Sequence, residues 1–305
     1  MFDRKNTMIS REKVAIAMGA FDGIHKGHQL IINKMMAEAK ERGLLSAVYT
    51  FNNVPKSVNR PEESIHILKA GDKYELLKEM GVDIVYMHDF DDKLMMTSRE
   101  DFIKNLYQYF DIKLIVVGKD FRFGHKVQGD VRWLEENQAH YGFELIACDF
   151  FELEGEKVSS TTIRNLLRAG NLEGAQELLG RHHFIKGRVV DGRKVGRKLG
   201  FPTANVEVYP EMAVISNGVY YTRTLVKGKR FHSVTNIGNV PSFSGAPFSV
   251  ETYILDFNQD IYGEEIKVEF IEKLREEIKY DNTTDLIRQI EDDVRVAREL
   301  SRNCE

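Results

Sequence analysis

Val14-Ala15-Ile16-Ala17-Met18-Gly19-Ala20-Phe21-Asp22-Gly23-Ile24-His25-Lys26-Gly27-His28 is the stretch that decides the fold. It opens on a continuous apolar run, the length of one buried strand and too short for a core helix. A turn with glycines at 23 and 27 follows, and then Leu30, Ile31, Met35, Met36 and Ala39 recur at helical spacing. A buried strand, a glycine-rich turn and an amphipathic helix, in that order, begin a parallel α/β sheet. Gly23 and Gly27 let the backbone approach a ligand closely, and a helix N-terminus favours anions. His25 and His28 stand at that helix start, where two imidazoles can donate to phosphate oxygens. The pair alone favours two solvent-facing residues of a turn. The strand before it and the helix after it favour the phosphate site.

The same alternation continues outward. Apolar runs at 45–51, 83–87, 114–117 and 143–148 are separated by helical stripes: Tyr74, Leu76, Leu77 and Met80, then Phe102, Ile103, Leu106 and Phe110. Continuous apolar strands between amphipathic helices predict a parallel sheet covered on both faces, with ligands at the carboxyl ends of its strands. From about residue 183 the pattern changes. Runs at 185–190, 219–226, 232–237, 250–257 and 266–270 are rich in Val, Ile, Tyr, Phe and Thr, with glycines between them and hardly any helix. That spacing predicts an antiparallel barrel or sandwich. One helix closes the chain, with Thr283 or Thr284 as its cap and Leu286, Ile290, Val294, Ala297 and Leu300 as its stripe. The change of pattern places a domain boundary near 180–185, giving domains 1–183 and 184–305.

Composition narrows the function. A chain of 305 residues exceeds the usual single domain, in keeping with two. Lys plus Arg number 43 against 47 Asp plus Glu, a net charge of -4, so there is no basic domain to bind nucleic acid. No apolar run approaches the ~18–20 residues of a membrane span, and no signal-peptide pattern follows Met1-Phe2-Asp3-Arg4-Lys5. The 2 cysteines, Cys148 and Cys304, cannot build a disulfide framework or a cysteine zinc site. A cytoplasmic, reducing setting is the simplest expectation.

His25-Lys26-Gly27-His28 resembles the His-x-Gly-His signature of the nucleotidyltransferase superfamily, and the longer string resembles the opening of bacterial bifunctional riboflavin kinase/FAD synthetases. Val117-Gly118-Lys119-Asp120-Phe121-Arg122-Phe123-Gly124, with Gly129-Asp130, is similar to that family's second motif. Val158-Ser159-Ser160-Thr161-Thr162-Ile163-Arg164 is similar to its third. Gly196-Arg197-Lys198-Leu199-Gly200-Phe201-Pro202-Thr203-Ala204-Asn205 resembles the flavokinase motif. Asn236-Ile237-Gly238, Val250-Glu251, Leu255-Asp256-Phe257 and Tyr262-Gly263 complete it. The resemblance implies a Rossmann-like nucleotidyltransferase domain, then a small antiparallel β-barrel with a C-terminal helix. It implies ATP-dependent phosphorylation of riboflavin to FMN, then adenylylation of FMN to FAD with release of pyrophosphate. ATP is the co-substrate, Mg²⁺ the metal, and FMN and FAD the intermediate and product. The partners are these small molecules, with no nucleic acid and no membrane, for a monomer or weak homo-oligomer.

The resemblance also assigns residues. His25 and His28 would serve catalysis at the ATP phosphates, with Gly19, Phe21, Asp22, Gly23 and Gly27 shaping the site around them. Asp120, Phe121 and Arg122 would contact flavin and nucleotide, although an aromatic residue at 121 fits a core equally. Ser159, Ser160, Thr161 and Arg164 would grip the ATP phosphates, Arg164 as a bidentate donor; taken alone, 159–161 reads as an ordinary helix cap. In the kinase half, Thr203 and Asn205 are hard oxygen ligands for Mg²⁺, Glu251 is the base, and Gly192, Arg193, Gly196, Gly200, Pro202 and Asn236 bind nucleotide or flavin. Read without the family, a strand Glu is usually a solvated surface residue. The cluster Arg193, Lys194, Arg197 and Lys198 reads equally as a solvated loop or as an ATP contact. The chain departs from the family pattern at Asn53, Val54, Thr162, Val240 and Ser242. Rival readings are an enzyme with only one of the two activities, a non-catalytic flavin-binding regulator, and a cytidylyltransferase-type enzyme. The last leaves the 202–205 motif unexplained.

Overall fold

The structure, a computed structural model, describes residues 12–52, 65–153, 155–192, 195–209, 212, 215–238 and 248–302. Asn53, Val54, Arg193, Lys194, Val240, Ser242 and Cys304 lie outside the described residues. The chain divides into two compact units, residues 1–160 and 161–305.

In the first unit β1 (Lys13–Met18), α1 (Lys26–Arg42), β2 (Leu45–Phe51), α2 (Ala70–Glu79), β3 (Ile84–His88), α3 (Arg99–Leu106), β4 (Asp111–Gly118), α4 (Val131–Tyr141) and β5 (Glu144–Cys148) follow in order. The sheet has five strands in the order β3-β2-β1-β4-β5, and every pairing is parallel. Val14, Ala15, Ile16 and Ala17 are all 0 % exposed, which is why the run is continuous rather than alternating. On one face Ile16, Tyr49 and Ile115 pack with Phe102, Ile103 and Leu106 of α3 and Trp133 and Leu134 of α4. α1 buries Ile32, Met35 and Ala39 and packs on β1, β2 and β4. Because β2 lies on one side of β1 and β4 on the other, the strand order reverses at β1/β4. The crevice beyond their carboxyl ends is where such sheets take ligands. Met18 leads directly into the glycine-rich loop there, and Gly118 leads into Asp120.

The second unit starts within α5 (Ser160–Arg168), whose first residue belongs to the first unit, and continues through α6 (Leu172–Leu179). β6 (Phe184–Val190), a short α7 (Val195–Lys198), β7 (Ala204–Val206), β8 (Gly218–Val226), β9 (Lys229–Gly238), β10 (Ser249–Ile254), β11 (Glu265–Arg275) and α8 (Thr283–Arg302) follow. The strands close into a barrel ordered β6-β7-β10-β9-β8-β11, which decides between the barrel and the sandwich. β7 overlaps the end of the 196–205 motif, where the sequence shows no strand signal. The interior holds Tyr220 and Phe270 together with five hydroxyl residues, Thr222, Thr224, Ser233, Thr235 and Thr252, each 0 % exposed. Their hydroxyls satisfy one another: Thr222 pairs with Ser233 and Thr235, and Thr224 with Ser233, each at 2.7 Å, and Thr235 donates to Thr252 at 2.8 Å.

α8 covers Val219, Tyr221, Val234 and Leu255 with its apolar stripe around Ala297. It is held by a bidentate pair, Arg275 Nε to Asp293 Oδ1 at 2.9 Å and Nη2 to Oδ2 at 2.8 Å. Asp293 is 5 % exposed, and removing one partner of such a buried pair costs about 3–5 kcal/mol. The cap of this helix differs from the expectation: Asn282 Oδ1 accepts from Asp285 N at 2.9 Å, and Thr283 already lies in the first turn. Asparagine ranks above threonine as an N-cap, and it takes the position.

Candidate active sites

The loop between β1 and α1 places both histidines. His25 caps α1, its Nδ1 accepting from His28 N at 3.3 Å. The two imidazoles stack with centroids 3.6 Å apart and planes 21° apart. Phe21 meets the His28 ring edge-on at 5.2 Å. The first turn of α1 holds no acid, the reverse of what the helix dipole prefers by itself and what an anion site needs. Burial, then the neighbouring His25 and Lys73, hold His28 well below its ordinary value, so it is neutral at pH 7. Its Nδ1 is buried and has no hydrogen-bond partner among the described residues, which suits a group completed by a ligand oxygen. A side chain at Gly27 would press on the His25 ring, which accounts for the glycine.

The loop is strained. Phe21 has φ 48° and Ile24 φ 43°, left-handed values that non-glycine residues adopt at a cost of roughly 1–3 kcal/mol each. Gly23, at φ 82°, takes the same region without penalty. Polar ties hold this shape. Asp22 Oδ1 accepts from Ile67 N at 3.0 Å and Leu68 N at 3.4 Å, and Ser160 Oγ donates to Asp22 O at 2.9 Å. Ala20 O accepts from Thr50 Oγ1 and from Lys73 Nζ, both at 2.9 Å. Phe21 is 1 % exposed and Asp22 5 %, so both are occupied in shaping the loop.

Beyond β4, Asp120 is exposed and pairs with Lys157 at 2.5 Å. Phe121 is half-buried and stacks on Phe123 with centroids 5.5 Å apart. Arg122 is exposed, donating to Phe121 O at 3.0 Å. Gly19 carries β1 one step further, its N–H donating to Tyr49 O at 3.1 Å. Ser159 and Ser160 end the first unit. In the second, Arg164 is 8 % exposed and its Nη2 donates to Thr161 Oγ1 at 3.2 Å, so these two are aligned on one face of α5.

The barrel carries a cavity of about 400 Å³, within the usual range for a small-molecule site. Arg197, Gly200, Pro202, Thr203, Asn205 and Thr252 are among the residues lining it, with Phe257 and Tyr262 beside them. Two glycines are needed for close approach: a Cβ at Gly192 would overlap the Asn205 amide, and one at Gly196 would overlap Phe201 O and crowd Thr203 Oγ1. Asn205, Glu251 and Asn236 lie side by side on β7, β10 and β9, paired in register, so they form one row on one face. Glu251 is outside the cavity wall itself and joins it through Asn205. Among the described residues no group of three His, Cys, Asp or Glu could hold a metal ion.

Sequence reading missed Lys73, which is 5 % exposed and donates to Phe51 O at 2.8 Å as well as to Ala20 O. It also missed the rings at the carboxyl ends of β2 and β3, where Phe51 meets Phe90 edge-on at 5.2 Å and Tyr49 stacks against Tyr86 at 5.6 Å. The only available signal was aromatic enrichment in the strands, which reads as core.

Comparison with known proteins supplies the family. The FAD synthetase family matches residues 7–162 and the riboflavin kinase family residues 179–301. A Haemophilus influenzae bifunctional riboflavin kinase/FMN adenylyltransferase is 35% identical over 93% of this chain and 93% of its own length. The Listeria monocytogenes protein of the same name is 35% identical over 91% of this chain and 89% of its own. A crystal structure from Streptococcus pneumoniae, described as a macrolide-efflux protein, is similar with a TM-score of 0.82 and 31% identity, covering 94% of each chain. Among the described residues of this chain no helix is long and apolar enough to cross a membrane. Both halves match in order, and the similarity runs over nearly the whole length: the chain belongs to the bifunctional riboflavin kinase/FMN adenylyltransferase family.

Proposed function

We propose how the two units divide the family's chemistry. The chain phosphorylates riboflavin to FMN with ATP and adenylylates FMN to FAD. Adenylyl transfer is assigned to the loop and helix start around His25 and His28. Neutral His28 donates to an oxygen of the ATP phosphates as charge builds there and pyrophosphate leaves, electrostatic help of the kind that dominates such reactions. Ser159 and Ser160, in the same unit, are assigned to the same phosphates, while Thr161 and Arg164 keep the nucleotide role that the family resemblance implies. Gly19, Gly23 and Gly27 admit the backbone, Phe21 and Asp22 hold its shape, and Asp120, Phe121 and Arg122 border the crevice. The observation that carries this reading is the neutral, half-buried His28 at an acid-free helix start, whose buried Nδ1 has no hydrogen-bond partner among the described residues.

Phosphorylation is assigned to the barrel. Thr203 Oγ1 and Asn205 Oδ1 would hold Mg²⁺, in keeping with its preference for hard oxygen and retained waters. The fit rests on the glycine backbone pressed against both side chains. When bound, the metal neutralises charge on the phosphates. Gly192, Gly196, Gly200 and Pro202 shape the nucleotide side, Asn236 continues the row, and Glu251 accepts the proton of the attacking hydroxyl. A cytoplasmic setting fits the free, buried Cys148. The test is chromatography after incubating riboflavin with ATP and Mg²⁺: FMN and then FAD are expected, and accumulation of FMN alone leaves the first unit without its assigned reaction.

The boundary between working modules has its own test. α6 packs on β11, and Ser216 N donates to Leu167 O of α5 at 3.2 Å, so both helices support the barrel. A fragment 161–305 is expected to phosphorylate riboflavin without making FAD and to melt higher than 184–305. Equal melting temperatures would return the boundary to 183/184.

A further inference from the structure

We propose that Lys73 is a positioning residue for adenylyl transfer, fixing the 19–25 loop through the carbonyls of Ala20 and Phe51. Lysine is almost never fully buried without a partner, yet Lys73 is 5 % exposed in the first turn of α2. Its ammonium spans the ends of two adjacent strands: it donates to Ala20 O just past β1 at 2.9 Å and to Phe51 O at the end of β2 at 2.8 Å. Ala20 immediately precedes the left-handed Phe21, whose ring abuts His28. Strained backbone of this kind persists only where surrounding groups over-determine it. Thr50, Asp22 and Ser160 supply other ties. Lys73 supplies a charge-assisted one, and such bonds are roughly twice as strong as neutral ones.

The charge has a second effect. The groups that act on this ammonium and its neighbourhood are Asp22 from the loop, and His25 and His28 at the start of α1. Burial pushes Lys73 down to about 8, with Asp22 opposing. Below that value the side chain is charged; as pH rises through it, the ammonium loses its proton and its charge-assisted hold on Ala20 O weakens. The same charge helps keep His28 neutral. Adenylyl transfer therefore has an alkaline limb that belongs to Lys73 and that riboflavin phosphorylation in the barrel does not share.

The inference rests on the assignment of adenylyl transfer to this loop. Full-length wild type, Lys73→Met and Lys73→Arg are assayed for FMN-to-FAD turnover and for riboflavin phosphorylation at pH values either side of 8. Lys73→Met is expected to lose about 10²-fold in kcat, the cost of a displacement near 1 Å at a reacting centre, with smaller changes in KM and normal phosphorylation. Lys73→Arg is expected to retain more activity than Lys73→Met and to lose the alkaline limb, because guanidinium keeps its proton. Should Lys73→Met fail to fold, the Lys73→Arg profile decides alone. Wild-type kcat in Lys73→Met, or an unmoved limb in Lys73→Arg, overturns the inference while leaving the site assignment standing. A wild type that makes no FAD overturns the assignment itself.

Discussion

His28→Ala is expected to lower FMN-to-FAD conversion by roughly 10²–10³-fold, the usual cost of removing one preorganised donor, and to leave riboflavin phosphorylation unchanged. The preorganisation is visible. His28 is clamped between the His25 ring at 3.6 Å and the edge of Phe21 at 5.2 Å, so it has no rotamer search to make when a phosphate arrives. Its depressed pKa settles the direction of the pH effect. A lowered value means the neutral form holds through pH 7 and is lost only as pH falls well below 6.5, so His28 titration does not limit the rate near neutrality. Separate assays with supplied FMN and with riboflavin check both halves. Equal loss of the two activities would sink the division of labour, because the cavity and its polar row lie wholly within the second unit.

The residues that make this site were unequally legible. The buried strand at 14–18 is visible because a strand covered on both faces must be apolar without interruption. The glycines at 23 and 27 are visible because only glycine tolerates a left-handed turn or the face of a neighbouring imidazole without cost. Lys73 is invisible for a matching reason. It precedes Tyr74 on an amphipathic helix, where a lysine ordinarily marks the wet side. Only the fold, which brings its ammonium to the carbonyls of Ala20 and Phe51 past the ends of β1 and β2, turns it inward. The barrel hydroxyls are a similar case. Thr222, Thr224, Thr235 and Thr252 signal strand through their β-branching, but their closure into one buried network needs three strands in register. The two motif halves were readable through family resemblance, whereas Glu251 by itself carries no sequence signal beyond a polar residue in a strand.

Glu251 therefore supports the sharpest test. A primary alcohol is a poor nucleophile while it keeps its proton, and a carboxylate within reach can accept that proton as the γ-phosphorus is attacked. Glu251 stands in register between Asn205 and Asn236, on the same face as the side chain that the Gly192 backbone presses against. Thr203 and Asn205 line the cavity, and Glu251 is the in-register neighbour of Asn205. Glu251→Gln keeps the size and the hydrogen bonding but removes the basic oxygen. Riboflavin phosphorylation is expected to fall by about 10²–10⁴-fold, the span of general-base contributions, with riboflavin and ATP still bound by calorimetry and FAD synthesis from supplied FMN intact. Loss of binding along with rate would make the carboxylate a substrate contact instead of a base. Near-normal turnover would leave it a structural partner of its two flanking asparagines, and the proton would then have to pass to the transferred phosphate itself.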